Sequence, residues 1–128
     1  MRSVVRTSAF VFALALVSCL DPFAPPPGTY RFDPPFAYRV AWLEVENCSG
    51  LRGDFTRVKW FAIPGPFFRC AEGNCQGMWV SPHDIYLSDF ARSDSAGDYF
   101  TVRHEILHDL LGRGGHPPVF RTCNLLRV

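Results

Sequence analysis

Apolar and polar residues alternate through the middle of the chain and shift to a helical period near residue 100. The clearest alternation runs from Phe55 to Ile63. Phe55, Arg57, Lys59 and Phe61 fall on one side, Thr56, Val58, Trp60 and Ala62 on the other, and Pro64-Gly65-Pro66 stops the run; this predicts a strand. Tyr38 to Glu46 alternates less regularly and suggests a second strand, with a short helix as the other reading. Phe67–Cys70 and Gly77–Val80 predict a hairpin across Glu72-Gly73-Asn74, and Ile85-Tyr86-Leu87 a further short strand. Asp89 to Asp98, rich in Ser, Asp and Gly, reads as a loop in which Asp94 or Ser95 would cap the next element. From Asp98 to Leu111 the pattern is that of a helix, with Phe100, Ile106, Leu107, Leu110 and Leu111 on its core side and Gly112 as its stop. Short strands followed by one long helix predict α+β, a small and mostly antiparallel sheet packed on that helix.

The first residues stand apart from this pattern. Arg2 and Arg6 precede the uncharged run Ala9–Val17, which closes at Ser18-Cys19. About 20 apolar residues would be needed to span a bilayer, so the run reads as a secretory signal peptide over residues 1–18. Asp21-Pro-Phe-Ala-Pro-Pro-Pro-Gly28 is a proline-rich spacer. The expected organisation is a signal peptide (1–18), an anchor and tether (19–37) and a folded domain (38–128). Leu16-Val17-Ser18-Cys19 resembles the lipobox of bacterial lipoproteins. That resemblance implies cleavage before Cys19, lipidation of its thiol and new amino terminus, and attachment of an exported protein to the membrane of the cell envelope. Leu20 rather than aspartate after the cysteine favours the outer membrane in a Gram-negative cell. An ordinary secreted protein is the alternative.

Composition narrows the partners. The formal net charge is +1 over 128 residues and no basic run occurs, which argues against nucleic acid. Besides Cys19 there are four cysteines, Cys48, Cys70, Cys75 and Cys123. In an exported chain an even set reads as two disulfides, with three connectivities open. Cys70 and Cys75 flank a turn sequence and suit a local staple, which would leave Cys48 to pair with Cys123. A cysteine zinc site fits less well, since these spacings are not C-x2-C pairs.

Residues 104–108 read His-Glu-Ile-Leu-His. On a helix, His104 and His108 lie on one face, and Glu105 can hold a metal-bound water without ligating the metal. Two histidines make half a zinc site, and His116, just past Gly114-Gly115, is the candidate third ligand. The segment from about residue 98 to 120 resembles the zincin metallopeptidases. His116-Pro-Pro-Val-Phe120 is similar to the H-x-x-x-F element of the compact SprT and WLM-type groups, with a longer gap after His108. Metzincins, whose glycine and third histidine come earlier than Gly112 and His116, are a second likeness. The resemblance implies a Zn2+ cofactor on His104, His108 and His116, a peptide or protein substrate, and hydrolysis by a zinc-activated water with Glu105 as general base. Tyr99, Tyr86, Arg103 and His83 are candidates to help stabilise the oxyanion. A non-catalytic zinc-binding envelope lipoprotein, or an interaction module with incidental histidines, is the alternative.

Overall fold

The computed structural model describes residues 23–93 and 97–127. The signal peptide, Cys19 and the candidate caps Asp94 and Ser95 lie outside the described residues. In chain order the elements are β1 (Tyr30–Phe32), α1 (Phe36–Ser49), a 3-10 turn (Phe55–Arg57), β2 (Lys59–Ile63), β3 (Phe68–Cys70), β4 (Gly73–Cys75), β5 (Gly77–Val80), β6 (Asp84–Ser88), α2 (Asp89–Ser93), α3 (Phe100–Leu111) and α4 (Val119–Thr122). The fold is α+β. One sheet has the order β1-β2-β6-β5, and β3-β4 forms a separate two-stranded ribbon. All pairings are antiparallel except β2 with β6, which is parallel.

Trp60, Ile85 and Leu87 on one face of the sheet join Tyr38, Trp42 and Val45 of α1 and Val102, Ile106 and Leu107 of α3 in the main core. Each such large apolar side chain contributes roughly 1.5–3 kcal/mol by leaving water. The opposite face carries a smaller cluster of Ile63, Phe68 and Tyr86, with Phe61 stacked on Tyr86 at 4.7 Å. Val58, Trp60 and Ala62 are all buried, as the alternation from Phe55 predicts. The strand itself starts only at Lys59, because Asp54 accepts the Thr56 N–H and winds Phe55–Arg57 into a 3-10 turn.

Four sequence expectations are corrected. Tyr38–Glu46 is a helix, not a strand: Tyr38, Ala41, Trp42 and Val45 recur at helical spacing and are the buried positions. Val40 and Leu43, which contribute to the apparent alternation, are 41% and 54% exposed. Phe68–Cys70 pairs with Gly73–Cys75 rather than with Gly77–Val80, because Gly73 at φ 115° turns the chain early; β5 pairs with β6 instead. The Asp89–Asp98 loop opens with α2, where Ser88 Oγ accepts the Ala91 N–H. The folded body also begins before residue 38. Tyr30–Phe32, assigned to the tether, pairs with β2, and Phe23 packs edge-on against Tyr86 at 4.9 Å.

Cys70–Cys75 closes the β3–β4 ribbon, and Cys48–Cys123 joins the last turn of α1 to the end of α4. Among the described residues no helix is long and apolar enough to cross a membrane.

Candidate metal centre

Helix α3 positions two of the three histidines. Just before it, Asp98 Oδ1 accepts the Phe100 N–H at 2.9 Å. Val102, Ile106 and Leu107 are fully buried and fix the helix rotation, which leaves His104 and His108 together on the opposing flank. Gly112, left-handed at φ 63°, ends the helix. A second left-handed glycine, Gly115 at φ 76°, turns the chain back. Pro118 then caps α4, which places His116 and Phe120 beside the helix.

The three imidazoles converge. His104 Nε2 lies 3.3 Å from His108 Nε2 and 3.1 Å from His116 Nε2, and together the three form a cluster that can hold a metal ion. His104 Nδ1 donates to the Leu125 carbonyl at 2.7 Å, and His108 Nδ1 to the Arg113 carbonyl at 3.1 Å. A carbonyl can only accept, so each Nδ1 carries the proton and each Nε2 presents a bare lone pair. Two bare lone pairs 3.3 Å apart cannot hydrogen-bond each other; a cation between them satisfies both. Burial works in the same direction. It pushes His108 down to about 4 against the opposing pull of the Arg113 carbonyl, and lowers His104 against that of Leu125. Both rings are therefore neutral near pH 7, the form that binds a metal. Phe120, fully buried, touches all three rings at centroid distances of 4.6–4.9 Å.

Glu105 lies in the same recess, which has a volume of about 550 Å³ and is also lined by Glu72, Met78 and Trp79. Burial raises its carboxyl to about 8, while the Trp79 backbone N–H, which donates to it, opposes the shift, and the Glu72 carboxylate adds to it. Gly77 makes this close approach possible. A Cβ there would meet Thr101 Cγ2 at 2.6 Å and both Cγ and Oε1 of Glu105 at 2.9 Å. Nothing in the local sequence around Gly77 marks this contact, because it depends on β5 crossing α3.

Asp109 neither orients a histidine of the cluster nor faces solvent. It is buried and accepts from Trp79 Nε1 at 2.9 Å, with His83 Nδ1 at 3.1 Å on the same oxygen. These contacts hold the Trp79 indole nearly parallel to His108, with centroids 6.4 Å apart. His83 is thereby committed to Asp109. Of the other candidate stabilisers, Tyr86 stacks on Phe61 across the sheet, Arg103 pairs with Glu44, and Tyr99 packs against Tyr38. None of the four lines the recess. A second grouping of possible ligands, Cys70, Glu72 and Cys75, has both sulfurs in a disulfide and so offers no thiolate.

A second recess of about 430 Å³ shares Cys75, Gly77, His104, Glu105 and His116 with the first, so the two meet at the histidines; Phe67, Phe100, Leu126 and Arg127 line only the second. Compared with protein-family models, with curated proteins and with solved structures, the chain finds no match.

Proposed function

We propose that this protein is a zinc-dependent metallopeptidase, exported and lipid-anchored through Cys19. The observation that carries the reading is the convergence of three Nε2 atoms, two of them held as bare ligands by backbone carbonyls, beside a buried glutamate. Nitrogens bound tetrahedrally at about 2.0–2.1 Å from one zinc stand about 3.3–3.4 Å apart. The observed separations of 3.1 and 3.3 Å fit that set. His104, His108 and His116 would hold the metal and leave a fourth position towards the recess.

When bound, zinc supplies Lewis acidity and makes a water acidic enough to ionise near neutral pH. The chain's own part lies with Glu105. In the metal-free chain its carboxyl is held neutral near pH 7 by burial, but a dication beside it favours the carboxylate. As carboxylate it accepts the proton of the attacking water and returns it to the leaving amine. The Trp79 N–H that donates to Glu105 aims the carboxyl, while Gly77 keeps β5 close enough for that bond. The two disulfides accord with an oxidising, exported setting. Incorporation of labelled fatty acid that Cys19→Ser abolishes would test the anchor.

Purified protein is expected to bind one zinc, and Glu105→Gln to keep that zinc while hydrolysis of a mixed peptide library falls on the order of 10²- to 10⁴-fold. Absence of stoichiometric zinc sinks the metal reading. Zinc without cleavage leaves the second reading, a non-catalytic zinc-binding envelope lipoprotein. The burial that holds Glu105 neutral is the observation that favours that alternative.

A further inference from the structure

The two recesses meeting at the histidines carry side chains of opposite charge, one in each. Glu72 lines one together with Met78 and Trp79. Arg127 lines the other beside Phe67, Phe100 and Leu126. The Arg127 guanidinium sits over the Phe100 ring, its Cζ 4.5 Å from the centroid. A guanidinium held over a ring by cation–π attraction still has N–H donors to offer a carboxylate. Among the described residues no carboxylate pairs with it. Phe67, 51% exposed, and the partly buried Leu126 flank it with apolar surface.

We propose that Arg127 is a specificity-determining residue that selects polypeptides carrying an acidic side chain on one side of the scissile bond. The recess of Glu72, Met78 and Trp79 takes apolar or basic residues on the other. The inference rests on the peptidase reading above and deepens it by naming the substrate class. Its physical basis is a pair of opposite charges, one in each of two recesses that share the histidines: a chain that occupies both meets a cation in one and an anion in the other. A substrate with the matching polarity gains at both ends, and one with reversed polarity loses at both.

The test uses matched fluorescent peptides with glutamate or lysine scanned through three positions on each side of a cleavable bond. Cleavage by zinc-loaded wild type is measured alongside anisotropy-monitored binding to the Glu105→Gln protein. Glutamate on one side is expected to improve both by about 3- to 10-fold over lysine at low salt. The preference fades in 1 M salt, where the screening length is about 3 Å. Arg127→Glu is expected to invert it and Arg127→Lys to retain part of it; thermal unfolding of each variant verifies that it is folded. Cleavage without a charge preference, or a preference that survives Arg127→Glu, overturns the inference and leaves the peptidase standing. Preferential binding without wild-type cleavage upholds the recognition and removes the peptidase. Failure to bind or cleave any peptide overturns both.

Discussion

The Leu125 carbonyl accepts the Nδ1 proton of His104 at 2.7 Å, the shortest of the bonds that orient the histidine cluster. Leu125 is itself buried, and its N–H donates to the Phe120 carbonyl at 2.8 Å. Two residues earlier Cys123 is bonded to Cys48 on α1. The carbonyl that sets the tautomer of His104 is thus fixed to the opposite helix of the domain.

Opening that bridge should be felt at the metal site. Paired Cys48→Ser and Cys123→Ser substitutions are expected to lower zinc affinity by about 10- to 100-fold, the usual effect of losing a partner that orients a ligand. Global stability should fall by about 2–5 kcal/mol. Competition with a chromophoric chelator and denaturant unfolding measure the two effects. Unchanged affinity in a folded double variant would contradict the role given to Leu125.

Chelation should destabilise the wild type. The lone pairs of His104 and His108 face each other without a shared proton, and a ligand that binds only the folded state stabilises it by about 2.7 kcal/mol at 100 times its Kd. The melting temperature is expected to drop on chelation, whereas His108→Ala should melt at one temperature with or without chelator. A wild-type melt insensitive to chelator would count against metal binding.

The metal-free protein should show two opposed pH dependences. His108 falls from 6.5 to about 4 on folding, so the unfolded chain binds more protons in that window and stability is lost as pH falls through it. Glu105 rises from 4.5 to about 8, so the folded chain binds more protons there and stability is lost as pH climbs from 4.5 to 8. Denaturant unfolding of chelated protein between pH 4 and 9 should trace both effects, and Glu105→Gln should remove only the second. A stability fall towards pH 8 that persists in Glu105→Gln would show that another group is responsible.

Gly77→Ala should damage the site through backbone displacement. The added methyl collides with Thr101 and Glu105, and overpacking of this kind costs about 1–3 kcal/mol. Thr101→Ser removes the nearest colliding atom, so the double variant should recover part of the loss. A thermodynamic cycle on stability and on hydrolysis checks this; strict additivity would mean that the two residues do not touch.

Much of the site was legible in the sequence because its parts are local. A four-residue step places His104 and His108 on one helix face whatever the rest of the chain does, and Gly114-Gly115 before His116 permits a return. The local staple of Cys70 with Cys75 follows from a turn between them, and the Cys48–Cys123 pair from what remained. Helix α1 was harder to read, since its exposed Val40 and Leu43 imitate the alternation of a strand. The parallel pairing of β2 with β6 leaves no local mark. Gly77 and the carbonyls of Arg113 and Leu125 were not legible either. The two carbonyls act through backbone atoms that every residue possesses, and the contacts of Gly77 and Leu125 depend on which distant segment packs nearby.

Cys48 and Cys123 are 75 residues apart, and this separation bears on when the protein could acquire its metal. A chain still in a reducing compartment would lack the bond that seats Leu125 against His104, and its histidines would compete poorly for intracellular zinc. If the protein is exported as proposed, it would cross the membrane empty and be loaded only after oxidation. Its hydrolytic chemistry would then be withheld from the cell that makes it, with no separate inhibitory segment required.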